Sequence, residues 1–292
     1  MKSVAIIVVT YNRLNLLKEC IQSLKNQTYD DRDIIVINNG STDGTQEWLE
    51  SQDDVITITQ ENSGGAGGFY TGLKYSCENG YDYSWVMDDD VIATPNALIE
   101  LIRVCPNVDG FVSSRVLDIN GKMCNVPKIT AKKSTNTGEP TWGNYLDINI
   151  LELDVASFVS VLIPNKVIFN LGLPYKEYFI WGDDSEYTQR ISSRYNCYMA
   201  INSKIVHKRA INGILSIFKE KNPNRINNYY FAYRNRIHLS KGLFNKTKYF
   251  MSGLYDFVRL LFLGRLNASY IALKGNISGI FFNPQIKYPS KG

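Results

Sequence analysis

YDYSWVMDDDVIAT, from Tyr81 to Thr94, reads as an apolar strand that delivers three consecutive carboxylates, Asp88, Asp89 and Asp90. Like charges in a row repel one another, so a buried strand ending in them asks for a cation at its exit. Side chains alternate along an extended chain, which puts Asp88 and Asp90 on one side and Asp89 on the other. Two carboxylates on one side, with open coordination positions, suit Mg²⁺ or Mn²⁺ shared with phosphate oxygens. The plainer alternative is a solvated acidic turn before a helix capped by Thr94, with Pro95 as its first residue.

Upstream, the same arrangement of short apolar strand, polar loop and helix recurs. Val4–Val9 is a continuously apolar, β-branched run, as expected of a strand covered on both faces. Arg13–Gln27 follows with Leu14, Leu17, Ile21 and Leu24 at helical spacing. Ile34–Ile37 and Val55–Thr59 are further strands, separated by the loop Asn38–Thr45 and a short helix, Thr45–Ser51. Glu61–Phe69, ENSGGAGGF, reads as a glycine loop opening a helix that runs to about Glu78. Its glycine spacing does not fit GxGxxG; such glycines would let the backbone approach a ligand and expose N–H donors at the helix start. The order βαβαβαβ predicts an α/β fold with an open, mostly parallel central sheet flanked by helices. Ligands of such sheets bind beyond the carboxyl ends of the strands, where TYNR, NNGS, ENSGG and DDD all fall.

Downstream, Phe111–Leu117 and Met123–Val126 flank DING as a hairpin, Lys128–Tyr145 reads as a polar mobile loop, and Val155–Ile163 as one apolar strand. In WGDDSEY, Asp183 and Asp184 lead into a helix, with Glu186 in its first turn. Helix capping explains such carboxylates on its own. The aromatic run Tyr178, Phe179 and Trp181 adds a second reading: a surface that holds a sugar beside a carboxylate able to deprotonate its hydroxyl. Tyr198–Ile201 and Ile205–His207 read as strands, and the chain turns helical and basic after about Ile211. His207 taken alone is more simply an ordinary hydrogen-bonded histidine than a ligand.

A net charge of +4 without a basic stripe gives no reason to expect nucleic acid as a partner. Five scattered cysteines suggest reduced thiols in a cytoplasmic protein rather than disulfides or a zinc site. No signal peptide and no stretch long enough for a transmembrane helix is read from the sequence.

VVTYNR, NNGSTDGT, NSGGAGGF, VMDDDV and WGDDSEY stand in the order found in family 2 inverting glycosyltransferases of the GT-A fold. The resemblance covers roughly residues 3–240. GGAGGF, the triple aspartate and YYFAYRN are most similar to bacterial galactofuranosyltransferases. The resemblance implies that Thr10, Tyr11 and Arg13 line a uridine and diphosphate pocket, that Asn39 faces base or ribose, and that Asn62 and Gly65 approach nucleotide and sugar. It implies a divalent cation, Mn²⁺ or Mg²⁺, on Asp88, Asp90 and His207, with Asp89 nearer the donor sugar. Asp184 matches the catalytic base, Asp183 beside it binds sugar hydroxyls, and Trp181 belongs to the acceptor platform. Asn38 stands where many relatives carry Asp, and Gly182 separates Trp181 from Asp183 where close relatives have no intervening residue.

The function this implies is transfer of galactofuranose from UDP-galactofuranose to a glycan or an undecaprenyl-diphosphate-linked acceptor in O-antigen or capsule assembly. The alternatives are a rhamnosyltransferase using dTDP-rhamnose, a sugar nucleotidyltransferase, and a sugar-binding protein without catalysis. TYNRLN is not the basic glycine-rich loop a nucleotidyltransferase uses for its triphosphate. We expect a catalytic domain over residues 1–225 and a helical region over 226–292. That region either packs on the catalytic domain or a second subunit of a homo-oligomer, or lies on the cytoplasmic face of the inner membrane with its basic residues toward anionic lipid.

Overall fold

In the computed structural model, which describes residues 2–105, 108–208 and 216–290, the first apolar run forms β1 (Val4–Thr10), buried at every position. Its two faces feed two separate cores. Val4, Ile6 and Val8 pack with Leu17, Ile21 and Leu24 of α1 (Leu14–Lys25). Ala5, Ile7 and Val9 pack with Phe69 and Leu73 of α3 (Gly64–Glu78). This double coverage is why the strand is apolar without alternation.

The chain divides into two compact units, one of Met1–Lys176, Asp184–Ala210 and Ile286–Gly292, the other of Glu177–Asp183 and Ile211–Gln285. The first unit carries the sheet. β2 (Arg32–Asn38), β3 (Val55–Thr59) and β4 (Tyr83–Asp88) join β1 in parallel, in the order β3-β2-β1-β4. A short α2 (Thr45–Glu50) lies between β2 and β3 in sequence. Beyond β4 the sheet is mixed. It continues through β9 (Val161–Pro164), β6 (Val112–Leu117), β10 (Cys197–His207), β8 (Ile150–Val155) and β7 (Lys128–Ile129), with β5 (Val91–Ala93) paired to β10. Helices α4 (Ala97–Val104), α5 (Asn165–Leu171) and α6 (Asp183–Ser192) complete the sequence of elements.

Several local expectations are corrected. The apolar run Val155–Ile163 is two strands, since Ala156–Ser160 leaves β8 before β9 begins. Lys128–Tyr145 is a hydrogen-bonded hairpin: β7 pairs with β8, and Ser134 N–H donates to Glu139 O at 2.8 Å. DING makes the expected turn, but beyond a single bridge between Leu117 and Met123 its second arm is not a strand. Asn96, not Thr94, is the cap residue of α4, and the Thr94 hydroxyl donates instead to Lys204 O at 3.0 Å. β10 is one continuous strand with an irregularity between Ala200 and Lys204. The helical onset expected near Ile211 lies outside the described residues.

The glycine run is helix rather than loop, because α3 already begins at Gly64. A Cβ at Gly68 would stand 2.4 Å from Val9 Cγ1, and one at Gly72 would stand 2.3 Å from Ile7 Cγ2. These glycines let the helix backbone lie directly on β1, at a helix-propensity cost of about 1 kcal/mol each.

The second unit is built on three helices, α7 (Pro223–Leu239), α8 (Gly242–Phe262) and α9 (Leu266–Phe281). Asn222 caps α7 by accepting from the Asn224 and Arg225 N–H groups. α9 turns a seam of small buried residues, Ala268, Ala272, Gly275 and Gly279, toward its neighbours. A Cβ at Gly275 would meet Tyr230 O of α7 at 2.4 Å, so the seam sets how closely the two helices pack.

Candidate active site

The edge formed by the carboxyl ends of β1, β2 and β4 gathers most of the polar residues singled out above. Thr10 closes β1, and its buried hydroxyl donates to Asp89 Oδ2 at 2.7 Å. Arg13, at the start of α1, sends one guanidinium nitrogen to both Asp89 Oδ1 (3.2 Å) and Asp90 Oδ2 (2.9 Å). Burial is the largest influence on Asp89 and pushes it up to about 6, against the opposing pull of Arg13 and Thr10. Burial also works to raise Asp90, but His207 and Arg13 outweigh it and hold that carboxyl below its usual range. For Arg13, burial works downward and the three aspartates more than reverse it.

His207 reaches this turn through the short strand that follows it. β5 starts one residue after Asp90 and pairs antiparallel with the end of β10, with Val91 opposite His207. Lys208 N–H also donates to Asp90 O at 2.8 Å. His207 Nε2 stands 3.0 Å from Asp90 Oδ1, but without the alignment of a hydrogen bond, so Oδ1 is buried with no hydrogen-bond partner. The other ring nitrogen, Nδ1, lies 3.0 Å from Asn125 Oδ1. Asn125 follows the turn after β6, where Leu117 both bridges Met123 and pairs with Val206. It sits at φ 45°, in the left-handed region that Asn tolerates better than most residues.

One ligand atom each from Asp88, Asp90 and His207 fall within 4.8 Å of one another, the one such cluster of acid, thiol and imidazole groups among the described residues. Two carboxylates and an imidazole suit a divalent ion such as Mn²⁺ or Mg²⁺, and the orphaned Asp90 oxygen is the atom that such an ion would satisfy. Cys20 lies nearby, its thiol 3.8 Å from Asp88 O, but burial first and the aspartates second push it up and keep it a neutral thiol.

Asp184 belongs to the same unit as this cluster. Val161 of β9 pairs with Val86, two residues before Asp88, so the Ala156–Ser160 segment entering β9 runs past the carboxyl end of β4. The Phe158 backbone N–H on that segment is one of the groups that favour the Asp184 carboxylate. Burial outweighs it and raises Asp184 above the ordinary carboxyl range. Ser185 N–H donates to Asp184 Oδ1 at 2.6 Å, and the Thr188 hydroxyl to Asp184 O at 2.7 Å.

The remaining predicted residues are spread along the edge or lie elsewhere. Tyr11 is exposed. Asn39 is buried, donating to Gly64 O at 3.0 Å and accepting from Gln60 at 2.6 Å, so its amide ties the second loop to the third. Asn38 works within its own loop, donating to Gln46 and accepting from Ser41 N–H. Asn62 is exposed and accepts from Gly64 N–H, while a Cβ on Gly65 would meet nothing within 4 Å. Trp181 and Asp183 belong to the second unit. Trp181 packs against Tyr229, ring centroids 5.1 Å apart, and Asp183 is buried at the first position of α6. Sequence reasoning missed Asn125 and Gln60. Nothing marks Asn125 in the sequence except its place after a turn, and Gln60 emerges only as the side chain joining Asn39, Ser63 and Thr71.

Residues 5–125 match the family described as Glycosyl transferase family 2. The match runs from β1 to the turn after β6 and so takes in Thr10, Arg13 and the three aspartates. Among curated relatives, a glycosyltransferase of Rickettsia felis is 29% identical over 61% of this chain and 30% of its own length. A galactofuranosyltransferase of Mycobacterium tuberculosis is 25% identical over 65% of this chain and 64% of its own. The chain spans about a third of the length of the first curated relatives it matches. The crystal structure of residues 1–349 of S. aureus TarS in complex with UDP shares the fold, with a TM-score of 0.56 at 14% identity, over 86% of this chain and 69% of that one.

Proposed function

We propose that this chain is a family 2 glycosyltransferase, an inverting, metal-dependent enzyme that moves a sugar from a nucleoside diphosphate donor to a hydroxyl acceptor. The observation that carries the reading is the meeting of Asp88, Asp90 and His207 at the carboxyl edge of the sheet. Asp88, Asp90 and His207 would hold the divalent cation, which when bound draws off the negative charge that develops on the departing diphosphate. Thr10 and Arg13 fix Asp89 and so hold the acidic turn in one conformation. Asp184 takes the proton from the attacking hydroxyl, a contribution of roughly 10²–10⁴-fold for a positioned base. Burial, which raises its pKa, makes its carboxylate a better proton acceptor than that of an ordinary aspartate. Gly65, with open space over it, is where a ligand can approach the α3 backbone. Tyr11, Asn39 and Asn62 belong to the nucleotide side of this reading. Trp181 and Asp183 keep the acceptor and sugar-hydroxyl roles on their adjacency to Asp184 in the chain alone.

For the donor we favour UDP-galactofuranose, supported by the similarity to the mycobacterial galactofuranosyltransferase, with a glycan or undecaprenyl-diphosphate-linked glycan of the bacterial surface as acceptor. The test is to incubate the chain with Mn²⁺ and a panel of nucleotide sugars and to follow nucleoside diphosphate release. The reading expects UDP from UDP-galactofuranose, with release by Asp184→Asn slowed roughly 10²–10⁴-fold. Release from dTDP-rhamnose alone would replace the donor, and release from none of the panel would refute the transferase.

A further inference from the structure

The helices α8 and α9 carry an outer surface that their packing leaves unexplained. α8 already has an inward face, where Gly253 and Leu260 are buried. It nevertheless presents Phe244, Met251, Tyr255, Val258 and Phe262 to solvent, at i, i+7, i+11, i+14 and i+18, a second apolar stripe on one side of the helix. Phe244 is 82% exposed and Phe262 89%. α9 adds Leu266, Tyr270, Ile277 and Phe281, also exposed and spaced along one side. Scattered apolar side chains are normal on a protein surface, but a continuous field of large ones marks a contact.

The charge around the stripe identifies what it contacts. Lys241–Phe281 holds six cations, Lys241, Lys246, Lys248, Arg259, Arg265 and Lys274, against one carboxylate, Asp256. This segment is therefore more positive than the whole chain, whose net charge is +4. Arg265 turns inward to the Ile217 and Glu220 carbonyls, and the other five cations are exposed. Asp256 is not free to answer them, because it accepts from the Tyr233 hydroxyl at 2.9 Å and lies 3.9 Å from Arg236. A second copy of the chain on this face would set the same cations against themselves, since a two-fold contact is self-complementary in shape and repeats every charge. An anionic lipid surface offers the opposite: acyl chains for the stripe and phosphates for the lysines. No helix among the described residues is long and apolar enough to cross a membrane, so the contact is one of lying on the surface.

We propose that the outer face of α8 and α9 docks the protein on an anionic bilayer, with the α8 stripe in the headgroup and acyl boundary and Lys241 and Lys248, which flank the stripe, at the phosphates. The inference does not depend on the transferase reading, since it needs neither donor nor metal. It is tested by flotation of the full chain with vesicles of phosphatidylcholine alone and of phosphatidylcholine mixed with phosphatidylglycerol. Wild type is expected to float with the anionic vesicles and to be released by salt. Lys241→Gln and Lys248→Gln should each weaken binding about fivefold. Phe244→Ser with Phe262→Ser, both at solvent-exposed positions, should abolish it with an unchanged circular dichroism spectrum. Equal flotation with both vesicle types would overturn the assignment of the cations. Absence of flotation would overturn the proposal, as would a lipid-free dimer that the double serine variant converts to monomer.

Discussion

His207 Nε2 stands 3.0 Å from Asp90 Oδ1, an oxygen that is buried and has no hydrogen-bond partner, while His207 Nδ1 lies 3.0 Å from Asn125. An imidazole that donates through Nδ1 keeps its Nε2 lone pair for a ligand, and the partner of the donating nitrogen sets the ring's tautomer and tilt. Asn125 is thus a positioning residue for the cluster. Asn125→Ala is expected to weaken Mn²⁺ binding by about 10–100-fold with little change in thermal stability. Asn125→Asp, which keeps the acceptor oxygen, should recover most of it. Titration of Mn²⁺ followed by electron paramagnetic resonance reads both variants; an Asn125→Ala protein that binds like wild type removes the positioning role.

Asp184 should show its raised pKa in the pH dependence of turnover. The base acts as the carboxylate, so the rate is full above its pKa and falls as pH drops through it. Burial places that fall above the range of an ordinary aspartate. The same shift makes the ionised form unfavourable in the folded state, because the folded pKa lies above the unfolded one and stability is gained only as pH falls. Asp184→Asn keeps an acceptor for Ser185 and carries no charge. It should therefore raise the melting temperature at neutral pH while lowering turnover by roughly 10²–10⁴-fold and leaving UDP affinity in place. Loss of UDP binding in that variant would move Asp184 from proton transfer to donor binding.

The two kinds of glycine in α3 predict opposite outcomes. Gly68→Ala would force a methyl against Val9 Cγ1 and Asn39, and should destabilise the protein by about 1–3 kcal/mol in a urea unfolding experiment. Gly65→Ala has open space around its Cβ and gains helix propensity, so it should stabilise by up to about 1 kcal/mol. If Gly65 is where the donor approaches, that variant also raises KM for the nucleotide sugar. An unchanged KM would assign the position to the helix alone.

Much of this arrangement was legible in the sequence. β1 to β4 could be placed because each is a short apolar run bounded by polar loops, and their parallel order follows from the helices between them. Thr10, Arg13 and the aspartates could be grouped because all sit at strand ends on one edge. The rest depended on contacts that leave no local trace. β5 is only three residues long, yet its pairing with β10 is what carries His207 to Asp90 across more than a hundred residues of chain. Asn125 reaches His207 through a turn and a left-handed backbone that no periodicity reports. The glycine run misled the reading in a physical way: glycines that make room for a ligand and glycines that make room for a strand look alike until the neighbouring side chains are in place.

The central claim is that Asp88, Asp90 and His207 together hold one divalent ion. It is tested most directly by Mn²⁺ titration, monitored by electron paramagnetic resonance, on wild type, Asp90→Asn and His207→Ala in the presence of UDP. The account predicts one tightly bound Mn²⁺ per wild-type chain, and its loss in both variants while their circular dichroism spectra stay native. Two folded variants that still bind one Mn²⁺ with wild-type affinity would contradict it.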